Sequence, residues 1–115
     1  MSYLGLTKMI MKSDLSDNEL IEYLDIPNVP VIQQTILKIL KKHSSNDKIH
    51  NKLLEYSGYM ENKYKILGLY KLGHLSICAL KQLEYYDDFQ LQYQKLTEYD
   101  KELVDMLEIA LKDIR

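Results

Sequence analysis

The chain has 115 residues, 46% hydrophobic and 28% charged, with 4 Gly, 2 Pro, a single Cys and a net charge of -2. That length holds one domain with its own core and is too short for two. The composition excludes a disordered chain and an all-β fold rich in turns, and no apolar run is long enough to span a bilayer. The charge is unevenly placed: residues 1–37 carry 2 Lys against 5 acids, residues 38–83 carry 9 Lys against 3 acids, and residues 84–115 carry 4 bases against 9 acids.

In chain order, residues 3–12 read as a short capping helix with Leu4, Leu6, Met9, Ile10 and Met11 as its apolar set. Lys8 and Lys12 lie inside or after the apolar residues, and no small-residue cleavage site follows. A secretory signal is therefore not expected and the cytoplasm is the expected compartment, in keeping with one lone cysteine. Ser16 followed by Glu19 has the form of a capping box, opening a helix over 17–25 with Leu20, Ile21 and Leu24 on one side. Pro27 ends that helix, and Pro30 is tolerated in the first turn of the next, where a missing N–H costs nothing. Over 29–42 the spacing of Val29, Ile32, Ile36, Ile39 and Leu40 predicts an amphipathic helix.

A polar loop at 43–48 precedes a helix over 48–59, capped by Asn46 or Asp47 and using Ile49, Leu53 and Leu54. Residues 64–72 are apolar on most of a helical circumference, which predicts a helix buried on several sides, with Gly68 allowing a neighbour close. Gly73 reads as the left-handed residue ending it, and 75–86 as the helix that follows. Asp87 and Asp88 are expected to cap a helix carrying Phe89, Tyr93 and Leu96. Asp100 is expected to cap the last, with the stripe Leu103, Leu107, Ala110, Leu111 and Ile114.

About eight short helices raise the question of repetition. Ile21-Glu22-Tyr23, Leu54-Glu55-Tyr56 and Leu83-Glu84-Tyr85 recur near the ends of alternate predicted helices, with Leu107-Glu108-Ile109 as a weaker fourth copy, at intervals of 33, 29 and 24 residues. A common unit explains them better than chance. With this unit, LIEYLDIPNVPVIQQTILKIL and YKILGLYKLGHLSICALKQLEYYDD resemble the short bacterial HEAT-like repeats, over about residues 17–114. The resemblance implies an all-α fold, a right-handed α-α superhelix of three to four antiparallel helix pairs behind the capping helix at 1–12. In that family an Asp in the turn commonly pairs with an Arg or Lys early in the second helix; here Gln33 and Lys63 occupy the neighbourhood, and the only Arg is Arg115.

No glycine-rich phosphate loop, GxSxG or HExxH is present, so neither an enzyme nor a cofactor is expected. His74 and Cys78 stand four apart, yet two candidate ligands do not make a zinc site, and the reading preferred is a buried cysteine beside a histidine near a helix start. Tyrosine is enriched, 10 against 1 Phe, which suits surfaces that bind protein and equally suits half-buried positions in thin helix pairs. The candidate protein-binding set is Glu22, Tyr23, Glu55, Tyr56, Glu84 and Tyr85. Stacked in register, its carboxylates would form a row about 10 Å apart, able to take a basic peptide or simply to face solvent.

A second set, Lys38, Lys41, Lys42, Lys48, Lys52, Lys63 and Lys65, is a candidate patch for an anionic partner. The functional expectation is a non-catalytic protein–protein interaction or adaptor module. The alternatives are a nucleic-acid-binding module using the lysines and a compact structural bundle, with self-association of basic middle against acidic end as a further use of the polarity.

Overall fold

The computed structural model describes residues 3–114 and contains seven α-helices and one two-stranded hairpin: α1 Tyr3–Lys12, α2 Asp17–Leu24, α3 Val29–Lys42, α4 Asp47–Tyr56, β1 Lys65–Leu67, β2 Tyr70–Lys71, α5 Leu72–Gln82, α6 Tyr86–Gln94 and α7 Glu98–Ile114. A short 3-10 turn, Asn62–Tyr64, leads into the hairpin. The side chain of Ile114, placed by the sequence on the last apolar stripe, and the whole of Arg115 lie outside the described residues.

Local signals set most helix starts. The Ser16 hydroxyl accepts from the Glu19 N–H, and the Glu19 carboxylate accepts from the Ser16 N–H, which satisfies two free donors at the start of α2. Asn28 caps α3 through Val31 N–H, with Pro30 in the first turn. Asn46 caps α4 through Ile49 N–H. For α7 the cap is Thr97, whose hydroxyl accepts from Asp100 N–H, three residues ahead of the expected start. Asp87 and Asp88 lie in the first turn of α6 rather than before it, where their charge still meets the positive end of the helix dipole.

The molecule is organised around α5. All nine residues from Leu72 to Leu80 are buried, because α3, α4, α6 and α7 each lie against it. Before it, α1 and α2 both rest on α3, and α2 also touches α4. The overall dimensions are 39 × 27 × 26 Å with a radius of gyration of 13.2 Å, which is what a compact domain of this length has.

The centre differs from the sequence expectation in one respect that changes everything near it. Residues 64–72 are not a buried helix. They form the 3-10 turn and the antiparallel hairpin, in which Lys65 pairs with Lys71 and Leu67 with Tyr70. The helix expected over 75–86 begins earlier, at Leu72, and takes the buried place. Both glycines consequently change role. Gly68 is the residue with positive φ, +56°, at the first position of the two-residue hairpin turn, and a Cβ there would meet nothing within 4 Å. That is the position at which a type II′ turn calls for glycine. Gly73 ends no helix. It sits in the first turn of α5, where its N–H donates to the Tyr59 carbonyl at 3.0 Å. A Cβ on it would stand 2.8 Å from the Met60 side chain and 3.0 Å from the Ser57 carbonyl.

The last helix buries Leu103, Val104, Leu107 and Leu111, while Ala110, expected on that stripe, is exposed. Because Ser57 contributes backbone rather than a yielding side chain to the crowding at Gly73, we expect Gly73→Val to destabilise the fold by about 2 kcal/mol or more. Urea melts of the two proteins measure the difference, and an unchanged midpoint would contradict the close approach.

Candidate functional site

The hairpin is built to hold two leucines out in solvent. Ile66 is the extra residue of a bulge opposite the Lys71–Tyr70 step, and it turns toward the core while Lys65 and Leu67 face out. Tyr64 and Tyr70 also pack inward. A run of rings roots the hairpin on α4: Tyr64 stacks on Tyr59 with centroids 4.3 Å apart, and Tyr59 meets Tyr56 edge-on at 5.0 Å. The two leucines on either side of Gly68, Leu67 and Leu69, remain 69% and 60% exposed.

The base of the hairpin is fixed by His74, which is fully buried. Its Nδ1 accepts from the Lys71 N–H at 2.9 Å, and an accepting Nδ1 carries no proton, so Nε2 is the protonated nitrogen and donates to Asp100 at 2.9 Å. The ring thus joins the end of β2, the start of α5 and the first turn of α7. Cys78, one turn further along, donates its thiol to the Val104 carbonyl at 3.3 Å. Burial, and secondly the Glu108 carboxylate, push its pKa well above the usual thiol value, so it is a poor nucleophile. His74 and Cys78 both face α7 and are each occupied by it. Among the described residues no group of three or more His, Cys, Asp or Glu side chains is placed to hold a metal ion.

The Glu/Tyr tripeptides fall in three different backbone settings. Glu22 and Tyr23 lie within α2, exposed and half-buried respectively. Glu55 is exposed at the end of α4, while Tyr56 is buried and gives its hydroxyl to the Leu24 carbonyl. The third copy lies just past the end of α5. There Glu84, at φ +69°, closes the helix with its N–H on the Lys81 carbonyl and the Tyr85 N–H on the Leu80 carbonyl. The Tyr85 ring stacks on His50 at 3.9 Å, its hydroxyl meets Ser45, and His50 Nε2 meets Asp88 at 2.5 Å. Tyr56 and Tyr85 therefore act as ties between helices, and in the fourth copy Glu108 pairs with Lys81 of α5 at 3.0 Å.

The lysines divide similarly. Lys38 Nζ donates to the Met11 carbonyl at 3.0 Å and Lys42 Nζ to the Leu15 carbonyl, so both secure the end of α1 and the link beyond it to α3. Lys52 ties α4 to the end of α2 through Asp25 at 2.5 Å, and this hydrogen bond raises its pKa. Lys63 lies 5.2 Å from the Tyr64 ring centroid. Lys41, Lys48 and Lys65 stay exposed. Lys41 and Lys38 edge an apolar groove of about 250 Å³ formed by Met11, Leu37, Leu40 and Leu111. Lys48 and Lys52 share a depression of about 380 Å³ with Asp25 and Glu55, so members of the two candidate sets stand together there and the charge is mixed.

Leu67 and Leu69 were not among the residues singled out from the sequence. The signal available was the alternation of Tyr64, Ile66 and Tyr70 with Lys65 and Leu67 around Gly68, which has the two-residue period of a strand. Comparison with known proteins adds no assignment: no family model, no curated protein and no solved structure matches this chain.

The Tyr56 tie gives a pH signature. Burial pushes its hydroxyl up to about 12 from an ordinary value of 10.0, so the folded protein keeps the proton where the unfolded chain loses it. The stability this group contributes is complete below pH 10.0 and is lost as pH rises toward about 12. Tyr56→Phe should cost about 1 kcal/mol at neutral pH through the lost hydrogen bond. It should also flatten the alkaline fall in stability, measured by denaturant melts across that range; an equally steep fall in the variant would assign the effect to other groups.

Proposed function

We propose that this chain is a non-catalytic binding module that docks on another protein through its β-hairpin. The observation that carries the reading is the pair Leu67 and Leu69, held in solvent on either side of Gly68 at a two-residue turn whose base packs through Tyr64 on Tyr59. Exposed leucines cost solubility, and a soluble surface normally scatters them singly rather than presenting two on one tip. His74 and Cys78, the pair that the sequence offers for chemistry, are each engaged within the fold, and so are His50 and Asp88. Rigid presentation matters because a preordered element loses little entropy on docking.

Helical-repeat character of the HEAT-like kind is part of the proposal for α2 to α4. Its support is the α2–α3 pair, joined through Asp25 and Pro27, with Asp25 finding its cation in Lys52 of the next helix. The lysine set favours a nucleic-acid partner less, since Lys38, Lys42 and Lys52 are committed to internal contacts.

The test uses the immobilised full chain and a variant carrying Leu67→Asp and Leu69→Asp against an extract of the source cell. Proteins retained by the parent and released by the variant are the expected result. Equal retention by both, together with loss on Lys41→Glu, would transfer the binding surface to the lysine groove; a low-salt gel shift with duplex DNA that fades as salt rises would instead support the nucleic-acid alternative.

A further inference from the structure

Two surfaces left open by the fold are alike in apolar content and opposite in charge. One is the hairpin, where Lys65 and Lys71 face each other across the strands beside Leu67 and Leu69. Like charges opposed in an antiparallel pair disfavour it, and neither ammonium has an ion-pair or hydrogen-bond partner among the described residues. The other is the outer face of α7. Tyr99, Met106 and Ile109 are 56%, 55% and 65% exposed there. At 3.6 residues per turn they share an arc of about 80° with Glu102. Glu98 and Asp105 border that arc, and they are partly engaged: Glu98 with Lys101 at 3.4 Å, Asp105 with the Tyr93 hydroxyl at 3.1 Å. Glu102 has no such partner among the described residues.

We infer that the hairpin of one copy docks on the outer face of α7 of a second copy, its leucines against Met106 and Ile109 and its lysines against Glu102 and the flanking acids. The inference rests on the reading of the hairpin as a binding surface and names its partner. Both halves of the complementarity are carried by this one chain, and within a single copy they do not meet, since the leucines and the α7 side chains all stay more than half exposed. An anionic membrane or nucleic acid would satisfy the lysines but be repelled by the acidic face of α7 and would leave its apolar side chains uncovered. The contact joins different patches on the two copies, so it propagates head to tail and ends only if a ring closes. Two leucines and a few charges make a small interface, weak and weakened further by salt.

Sedimentation velocity of the full chain from micromolar to millimolar concentration tests this. The average mass should rise with concentration and fall back on adding salt. The variant with Leu67→Asp and Leu69→Asp, and a second with Met106→Lys and Ile109→Lys, should each be monomeric. Mixed in equal amounts they should form a species of two chains and nothing larger, because one supplies only an intact α7 face and the other only an intact hairpin. A monomeric parent at millimolar concentration, a mixture that stays monomeric, or association surviving in both variants overturns the inference. So does binding of anionic vesicles or duplex DNA that the hairpin variant loses. All substituted positions are exposed, and thermal melts confirm folding; if either variant is unfolded, Lys65→Glu and Glu102→Lys should each weaken association alone and restore it when mixed, since the mixture holds opposite charges at both contacts, and a mixture no stronger than either variant alone overturns the inference. A monomeric parent whose leucines still select proteins from the extract removes the second copy as partner while the binding reading stands.

Discussion

Burying one helix on every side is the constraint from which the rest follows. Leu72, Leu75, Ile77 and Leu80 supply apolar surface to four neighbours at once, each worth roughly 1.5–3 kcal/mol when removed from water. The same environment gives no water to the polar groups on α5, so each must find a partner inside. Ser76 returns its hydroxyl to the Leu72 carbonyl, Cys78 uses Val104, and His74 uses both of its nitrogens. No buried side-chain nitrogen or oxygen among the described residues is left without a partner. The satisfaction of His74 is what ties the hairpin to α7, so the element offered to solvent is positioned by a fully buried polar group.

Around that centre the long charged side chains behave as fasteners. Lys38 and Lys42 reach backbone carbonyls at the end of α1 and in the loop that follows, and Lys81 reaches Glu108 across the α5–α7 seam. Individually such exposed contacts contribute little. Their effect on function is mainly subtractive, because a lysine whose ammonium already donates to a carbonyl offers less to a phosphate or a carboxylate from outside. The basic middle of the sequence is therefore less of a patch than its charge suggests, and what remains free lies on Lys41, Lys48 and the hairpin.

The ends of elements were legible where side chains cap backbone over a few residues: the Ser16–Glu19 box, Asn46, and Pro30 in the first turn of α3 all stand as the sequence implies. The mostly helical class follows from the same signals. The misreading at residues 64–72 has a specific cause. A short apolar run with one glycine fits a buried helix and a small hairpin about equally by composition, and helical burial had to be assigned to one of two adjacent runs. The β-branched and aromatic residues at alternate positions, with Gly68 between two leucines, distinguished them. Once that run became strands, Gly73 moved from a helix end to a helix start. Tyr56, offered as a contact for partners, reads the same in sequence whether its hydroxyl meets water or the Leu24 carbonyl; only the fold decides.

The central position of α5 also makes its burial depend on distant parts of the chain. Its neighbours α3 and α4 precede it and α6 and α7 follow it, so no leading fragment can close its surface. Here His74 and Cys78 draw their partners, Asp100 and Val104, from 26 residues further along the chain. The core around α5 is thus closed only when segments from both sides of it in the chain are in place.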